Sequence, residues 1–433
     1  MKKSLLILLL SVLLSAKAQQ TTLQVAGKNL VTTSGQTVIL RGINYPIIDD
    51  GNISLSVMSQ YHHKIDEAAK TGANVIRLPW YTDGTHWRDN ITPGTINGYL
   101  TNGNLSDLLG YCHTKGMIPV LEIHNATCSN DWNYFNMTVM PWWKSTAVLS
   151  LIQTHKAYLI INLANEFGQA RWTANTATGL NVFKTNYNAA VSQLRTLGVQ
   201  VPIMIDAPDC GQSSTELLSV AESMVTSDPE HNLIFSSHAY WSGYATTLAA
   251  VQGKLNEAQN TNVCFILGEV ANTQDNNACG DLSLAALYPI ILQEACSRNI
   301  GWMAWTFDQD CSAPRELTTN GEFINLTAYG NDIVNNANYG LKSAGGCGAA
   351  LLAAARFDVV EALSIYPNPA QNTIAVNKPQ LILKAAIYDL SGRQLRSYDS
   401  GFDTMDVSFL QSGNYVIRLD TGNATVMIKF LKK

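Results

Sequence analysis

The chain has 433 residues, room for roughly two or three domains, with 46% hydrophobic residues, 14% charged residues and a formal net charge of −5. An apolar content this high builds a sizeable core, while the scarcity of positive charge excludes a nucleic-acid-binding surface and favours a neutral polymer as partner. No apolar run after the first residues is long and uniform enough to span a bilayer.

In chain order, Met1-Lys2-Lys3, an apolar run over residues 5–14 and Ala16-Lys17-Ala18 form the basic, apolar and small-residue zones of a secretory signal peptide covering 1–18. Cleavage after Ala18 would leave Gln19 at the mature N-terminus. Export permits disulfides among Cys112, Cys128, Cys210, Cys264, Cys279, Cys296, Cys311 and Cys347; Cys279 with Cys311 is the favoured pairing, as a bridge between neighbouring loops. No CxxC pair is present, and His62-His63 and His86 have no carboxylate or cysteine at ligand spacing, so neither a metal nor another cofactor is expected.

A short polar hairpin-like entry spans residues 23–36. Apolar runs ending in polar groups then recur at 38–45, 74–80, 118–124, 158–166, 201–206, 232–240, 264–269 and 301–306. Amphipathic segments at 55–70, 105–115, 180–197 and 282–296 fall between them, and Gly72 reads as the C-cap of the first. Buried strands alternating with helices predict an α/β fold, a (β/α)8 TIM barrel, because parallel strands need helical crossovers and are covered on both faces. In that fold the C-terminal strand ends form the active face. Here those ends carry Arg77, His124, Asn165-Glu166, His238 with Tyr240, and Glu269, with Trp305 near the last. Strands serving only the core would end in apolar groups. Taken alone, Asn165-Glu166 could equally cap a helix, but that reading does not explain the matching groups on other strands.

Composition changes after about residue 341. The glycine- and alanine-rich stretch 342–362 reads as a linker, and from 363 to 433 short alternating strands with tight turns predict a small C-terminal β-sandwich, too polar at its turns for a deep pocket.

Glycoside hydrolysis needs one carboxylic acid to protonate the leaving oxygen and one carboxylate to attack or to activate water. Glu166 and Glu269, on the fourth and seventh predicted strands, would face each other across a closed barrel at about 5 to 5.5 Å, the spacing of a retaining enzyme. Arg77 supplies charge-assisted hydrogen bonds to a carboxylate, Asn165 a donor for a sugar 2-hydroxyl, Tyr240 a phenol proton, and His238 and His124 groups that orient hydroxyls or tune the acid. Trp305 offers a flat platform for a pyranose ring, as do Trp80, Trp132 and Trp241 unless they fill the core. Asp308 and Asp310 read as loop carboxylates, solvated or in reach of substrate hydroxyls.

Arg77 within Val75-Ile76-Arg77-Leu78, His124, Asn165-Glu166, His238-Ala239-Tyr240, Gly268-Glu269 and Trp305 together resemble glycoside hydrolase family 5 over about residues 27–338. The resemblance implies retaining enzymes on a (β/α)8 barrel, with Glu166 as acid/base and Glu269 as nucleophile. Segments 121–127 and 205–212 and Gly301-Trp302-Met303-Ala304-Trp305 are most similar to bacterial β-mannanases; Val270-Ala271-Asn272 and Thr306-Phe307-Asp308 depart from them beside the expected cleft. The expected function is a secreted, monomeric endo-β-1,4-mannanase on β-mannan or glucomannan, with an endo-β-1,4-glucanase acting on β-glucan as alternative and an inactive surface glycan-binding protein as third reading. In the tail, Tyr366-Pro367-Asn368-Pro369, Tyr388-Asp389-Leu390-Ser391-Gly392, Gly413-Asn414-Tyr415 and the closing Lys429-Phe430-Leu431-Lys432-Lys433 resemble the sorting domain of the type IX secretion machinery. That implies passage across an outer membrane, with the tail removed or used for surface attachment. The other reading of the tail, a carbohydrate-binding module, is disfavoured because the stretch contains no tryptophan. The expected organisation is thus signal peptide 1–18, catalytic barrel 19–341, linker 342–362 and sorting sandwich 363–433.

Overall fold

The computed structural model describes residues 22–82, 92–125, 127–276, 279–280, 282–343, 363–389, 393–420 and 425–433. The signal-peptide segment, all but the first two linker residues, His86, Cys347 and the Ser391-Gly392 turn lie outside the described residues. The chain forms two compact units, Met1–Ala354 and Ala355–Lys433.

In the first unit, strands β1 (Arg41–Asn44), β2 (Val75–Trp80), β3 (Ile118–Ile123), β4 (Ile160–Asn162), β5 (Ile203–Asp206), β6 (Leu233–His238), β7 (Cys264–Val270) and β8 (Gly301–Ala304) close into a barrel. Each pairs in parallel with the next, and β8 returns to β1. The crossovers include α1 (Met58–Ala69), α2 (Asn104–Thr114), α3 (Thr146–His155), α4 (Thr176–Thr196), α5 (Ser214–Ser227), α6 (Leu248–Asn260) and α7 (Tyr288–Ser297), and α8 (Ala328–Asn335) follows β8.

The strands obey the period of two. Ile76, Leu78, Leu121, Ile123, Ile161, Ile203, Ile205 and Phe235 join the apolar layer shared with the helices. Burying each such side chain is worth about 1.5 to 3 kcal/mol. Alternate positions, including Val75, Val120, Ile160, Met204 and Ile234, are also buried, and farther along the same parity stand Arg77, Glu122, Asn162, Asp206 and His238. The barrel interior therefore changes from apolar to polar toward the C-terminal strand ends. A three-stranded antiparallel sheet (Gln24–Ala26, Asn29–Val31, Thr37–Val38) docks at the opposite end of β6, where Val25 N–H donates to Asn232 Oδ1 at 2.8 Å.

Two expected elements differ. The fourth run pairs only over Ile160–Asn162, so Asn165 and Glu166 lie on a turn beyond the strand, with Glu166 at φ +50°. The stretch 282–296 is not one helix: Leu282–Ser283 pairs with Thr273–Gln274, and the helix starts at Tyr288, where Pro289 in the first turn supplies a preset φ.

The second unit packs a three-stranded sheet (Ile365–Tyr366, Thr373–Val376, Met405–Asp406) and a four-stranded sheet (Gln394–Tyr398, Lys384–Tyr388, Gly413–Asp420, Thr425–Lys432), both antiparallel. Its core includes Ile374, Val376, Ile387, Ile417, Leu419 and Phe430. Among the described residues no helix is long and apolar enough to cross a membrane.

Candidate active site

Arg77 is the hub of the polar mouth. Fully buried on β2, its guanidinium donates to Asn162 Oδ1 at 2.9 Å, Asn44 Oδ1 at 3.1 Å, Asn165 Oδ1 at 2.6 Å, Asp206 Oδ2 at 3.3 Å and Glu269 Oε1 at 2.9 Å. Glu122 stands 3.7 Å away. Burial works against the cation, but the carboxylates of Glu122, Asp206, Glu269 and Glu166 outweigh it and raise its pKa.

Glu269 reaches this hub because β7 slips by one residue against β6 at Gly268: Leu267 pairs with Ser237 and Glu269 with His238. A bulge of this kind re-aims the side chain that follows it. Gly268 is required there, since a Cβ would stand 2.1 Å from Ser236 Oγ and 3.1 Å from His238 Nε2. The Glu269 carboxylate accepts from Tyr240 Oη at 2.7 Å on Oε2, while Oε1 faces Arg77 and, at 3.4 Å, His238 Nδ1.

Glu166 sits on the turn after β4, only 7% exposed. Its Oε1 is 2.7 Å from His238 Nδ1, its Oε2 is 3.3 Å from Cys128 Sγ, and its backbone N–H donates to Asp206 Oδ2 at 3.2 Å. Burial pushes its pKa above the ordinary carboxylate value, Glu269 and Asp206 add to the rise, and His238 opposes it. One carboxylate oxygen of Glu166 lies within 4.8 Å of one of Glu269.

His238 links the two. Burial alone would lower its pKa, but Glu269, Asp206 and its hydrogen bonds raise it to about 10, which favours the imidazolium. Asp206, 3.6 Å from His238 Nε2, is held down at about 2 because His238 and Arg77 overcome the effect of burial. Gly211, at φ +72°, lets the β5 loop close over this ring; a Cβ there would be 2.7 Å from His238 Cγ.

At the rim, His124 Nδ1 is 3.0 Å from Glu122 Oε2, and its ring stacks on Trp305 with centroids 5.7 Å apart. Trp305 Nε1 donates to Asp310 Oδ2 at 2.9 Å, and Asp310 is gripped by Arg315 through contacts of 2.6 and 2.8 Å. Asn165 also donates its amide to Thr127 Oγ1 at 3.1 Å.

All eight residues read from the sequence thus gather at one mouth: Arg77, Asn165, Glu166, His238, Tyr240 and Glu269 in one network, His124 and Trp305 beside it. Other expectations fail. Trp80 and Trp241 are fully buried, so neither is a sugar platform, and the half-buried Trp132 packs against Phe135, Phe167, Phe183 and Tyr187. Asp308 is 2% exposed and Asp310 is ion-paired, so neither is a solvated loop carboxylate. Sequence reading passed over Asn44, Glu122, Asn162 and Asp206, which share the inward parity of Arg77 or His238. It also passed over the Cys128–Cys210 disulfide, while the favoured Cys279–Cys311 bridge is present. Outside this mouth His62 pairs with Asp107 and His63 with Glu322 on the helix side.

Residues 364–433 match the family model described as a secretion system C-terminal sorting domain. Among curated proteins, the mannan endo-1,4-beta-mannosidase of Cellvibrio japonicus is 26% identical over 337 residues, covering 76% of this chain and 69% of its own length. That of Streptomyces lividans is 27% identical over 331 residues, covering 75% and 76%. Among solved structures, the mannohexaose complex of Thermomonospora fusca beta-mannanase superposes with a TM-score of 0.58 at 22% identity, covering 76% of this chain and 99% of that one, and so shares the fold. Residues 31–310, which hold the whole barrel sheet together with Glu166 and Glu269, match the cellulase model, and the chain belongs to glycosyl hydrolase family 5.

Proposed function

We propose that the protein is a retaining endo-β-1,4-mannanase, exported and secreted or attached at the cell surface, with Glu166 as acid/base and Glu269 as nucleophile. The observation that carries the mechanism is the pair itself. Glu166 and Glu269 present oxygens within 4.8 Å of each other, which supports the close pair of a retaining enzyme, about 5 to 5.5 Å between carboxyls, over the about 6.5 to 9.5 Å of an inverting one. Their surroundings divide the work: burial and neighbouring carboxylates raise the pKa of Glu166 against the opposing His238 and so favour its acid form, while donors from Arg77 and Tyr240 aim the oxygens of Glu269.

In the first step Glu166 delivers its proton to the glycosidic oxygen as Glu269 attacks the anomeric carbon. The leaving chain departs as an alcohol and a glycosyl ester forms on Glu269. In the second, Glu166 takes a proton from water, whose oxygen displaces Glu269 and restores both groups. Asn165, oriented by Arg77 and Thr127, directs its amide toward the 2-hydroxyl, and Trp305 underlies the sugar ring.

Mannan as substrate is supported by the two curated relatives, and export by the sorting-domain match at 364–433. In this reading residues 1–18 are the signal peptide, 19–341 the catalytic barrel, 342–362 a linker and 363–433 the part handed to the secretion machinery. Reducing-sugar release from mannan, glucomannan and carboxymethylcellulose by one purified sample tests it. Mannan and glucomannan should be cleaved; activity confined to carboxymethylcellulose would make the enzyme an endoglucanase, and none on any polymer would leave a glycan-binding protein.

A further inference from the structure

His238 engages only one oxygen of Glu166. With Nδ1 protonated, it donates to Oε1 at 2.7 Å and leaves Oε2 as the oxygen to carry the transferable proton; Oε2 faces a disulfide sulfur, Cys128 Sγ at 3.3 Å. Cys128 follows β3 and Cys210 follows β5, so the bridge runs beside the turn that carries Glu166 after β4. Cys128, Cys210 and Glu166 all hold left-handed backbone, at φ +62°, +53° and +50°. Such backbone is disfavoured for residues with a Cβ and persists where the surroundings impose it.

These loops are also stitched together without the sulfurs. Gly168 N–H donates to Ser129 O at 2.7 Å, and Asp209 N–H to Gly168 O at 2.9 Å. The Asp209 carboxylate accepts the N–H groups of Ala170, Arg171 and Trp172 at 2.9, 3.0 and 3.2 Å. The separate contribution of the bridge therefore falls on Oε2. A disulfide sulfur carries no proton, so it cannot donate to Oε2 and acts as an apolar wall that keeps water off the carboxyl. Reduction by an external dithiol, which is itself oxidised to a disulfide, breaks the S–S bond and leaves two thiols. Cys128 then holds an S–H donor against Oε2, and a donor there favours the carboxylate over the acid. Glu269 is held from elsewhere, by Arg77, His238 and Tyr240.

We propose that the Cys128–Cys210 disulfide is a positioning element for the proton donor: oxidised, it walls Oε2 and keeps Glu166 competent as an acid, and reduced, it disables proton donation while sparing the nucleophile. The proposal rests on Glu166 being the acid/base.

The test compares mannan, whose leaving group needs a proton, with a 2,4-dinitrophenyl β-mannobioside, whose leaving group does not. Two double variants, Cys128→Ala/Cys210→Ala and Cys128→Ser/Cys210→Ser, are measured beside the wild type before and after dithiothreitol and after reoxidation, with a thermal melt of each sample. For both variants and the reduced wild type, kcat/KM on mannan should fall at least about 10-fold, while kcat/KM on the aryl substrate stays within about 3-fold. Reoxidation should restore the wild-type ratio, and the ratio of the double variants should not respond to dithiothreitol. Equal loss on both substrates, whether by local damage or unfolding, would make the bridge a structural staple and overturn the proposal; so would no loss on either. A wild type inactive on both substrates would instead sink the assignment of Glu166, and this proposal with it.

Discussion

His238 Nδ1 and Glu166 Oε1 stand 2.7 Å apart, with the imidazole withdrawn from solvent. The histidine opposes a rise in the carboxyl pKa that burial, Glu269 and Asp206 produce. The alkaline limb of kcat/KM reports loss of the acid's proton, so it should lie above the ordinary carboxylate value of 4.5. His238→Gln removes the opposing charge. The limb should move further up while kcat falls, and a downward shift in the pH profile would contradict this account.

Asp206 gives a stability prediction. Its folded pKa of about 2 lies below its ordinary 3.8, so the stability it contributes is complete above 3.8 and is lost as pH falls through about 2. The difference in Tm between wild type and Asp206→Asn should therefore be steady above pH 3.8 and shrink toward pH 2. For His238 the sign is reversed: its stability is complete below 6.5 and lost as pH rises through about 10.

Glu269→Ala should abolish hydrolysis of every substrate. Glu166→Ala should lower kcat/KM on mannan by about 10² to 10⁴, while a dinitrophenyl glycoside is spared. Proton NMR of the first product should show the β-anomer; an α-anomer would exclude a glycosyl ester on Glu269.

The Trp305 indole is fixed through Asp310, which Arg315 holds in turn. Asp310→Ala removes one carboxylate partner of Arg315, itself 5% exposed, and leaves it the exposed Asp275 at 3.0 Å, so the cost should fall below the about 3 to 5 kcal/mol of a wholly unpaired buried charge. Chemical denaturation should register that loss, and steady-state kinetics should show KM rising more than kcat falls, as for Trp305→Ala. A pure kcat defect would place Trp305 outside ring binding.

The mouth was legible where a polar side chain interrupts an apolar run, as at Arg77, Glu166 and Glu269. Asn44, Glu122, Asn162 and Asp206 carry the same signal, but their importance comes from what closure of the barrel puts opposite them, the guanidinium of Arg77. Such long-range contacts leave no trace in local patterning. Parity could have corrected one error: Trp80 lies three residues after Arg77 and so faces the helices, where it meets Tyr99. Glu166 was expected at the end of a strand; the turn it occupies depends on contacts with both neighbouring loops. The Cys128–Cys210 link joins residues 82 apart, and only the fold brings them together.

The hydrogen bonding of His238 has one more consequence. In the proposed cycle Glu269 begins as the anion and Glu166 as the acid; once the sugar is esterified, Glu166 is the anion and Glu269 is neutral. A single negative charge has swung between two sites within 4.8 Å, about a pivot, His238 Nδ1, lying 2.7 Å from one and 3.4 Å from the other. The buried mouth keeps the same total charge throughout, so the surrounding dipoles, already set by folding, need little reorientation as the bond breaks.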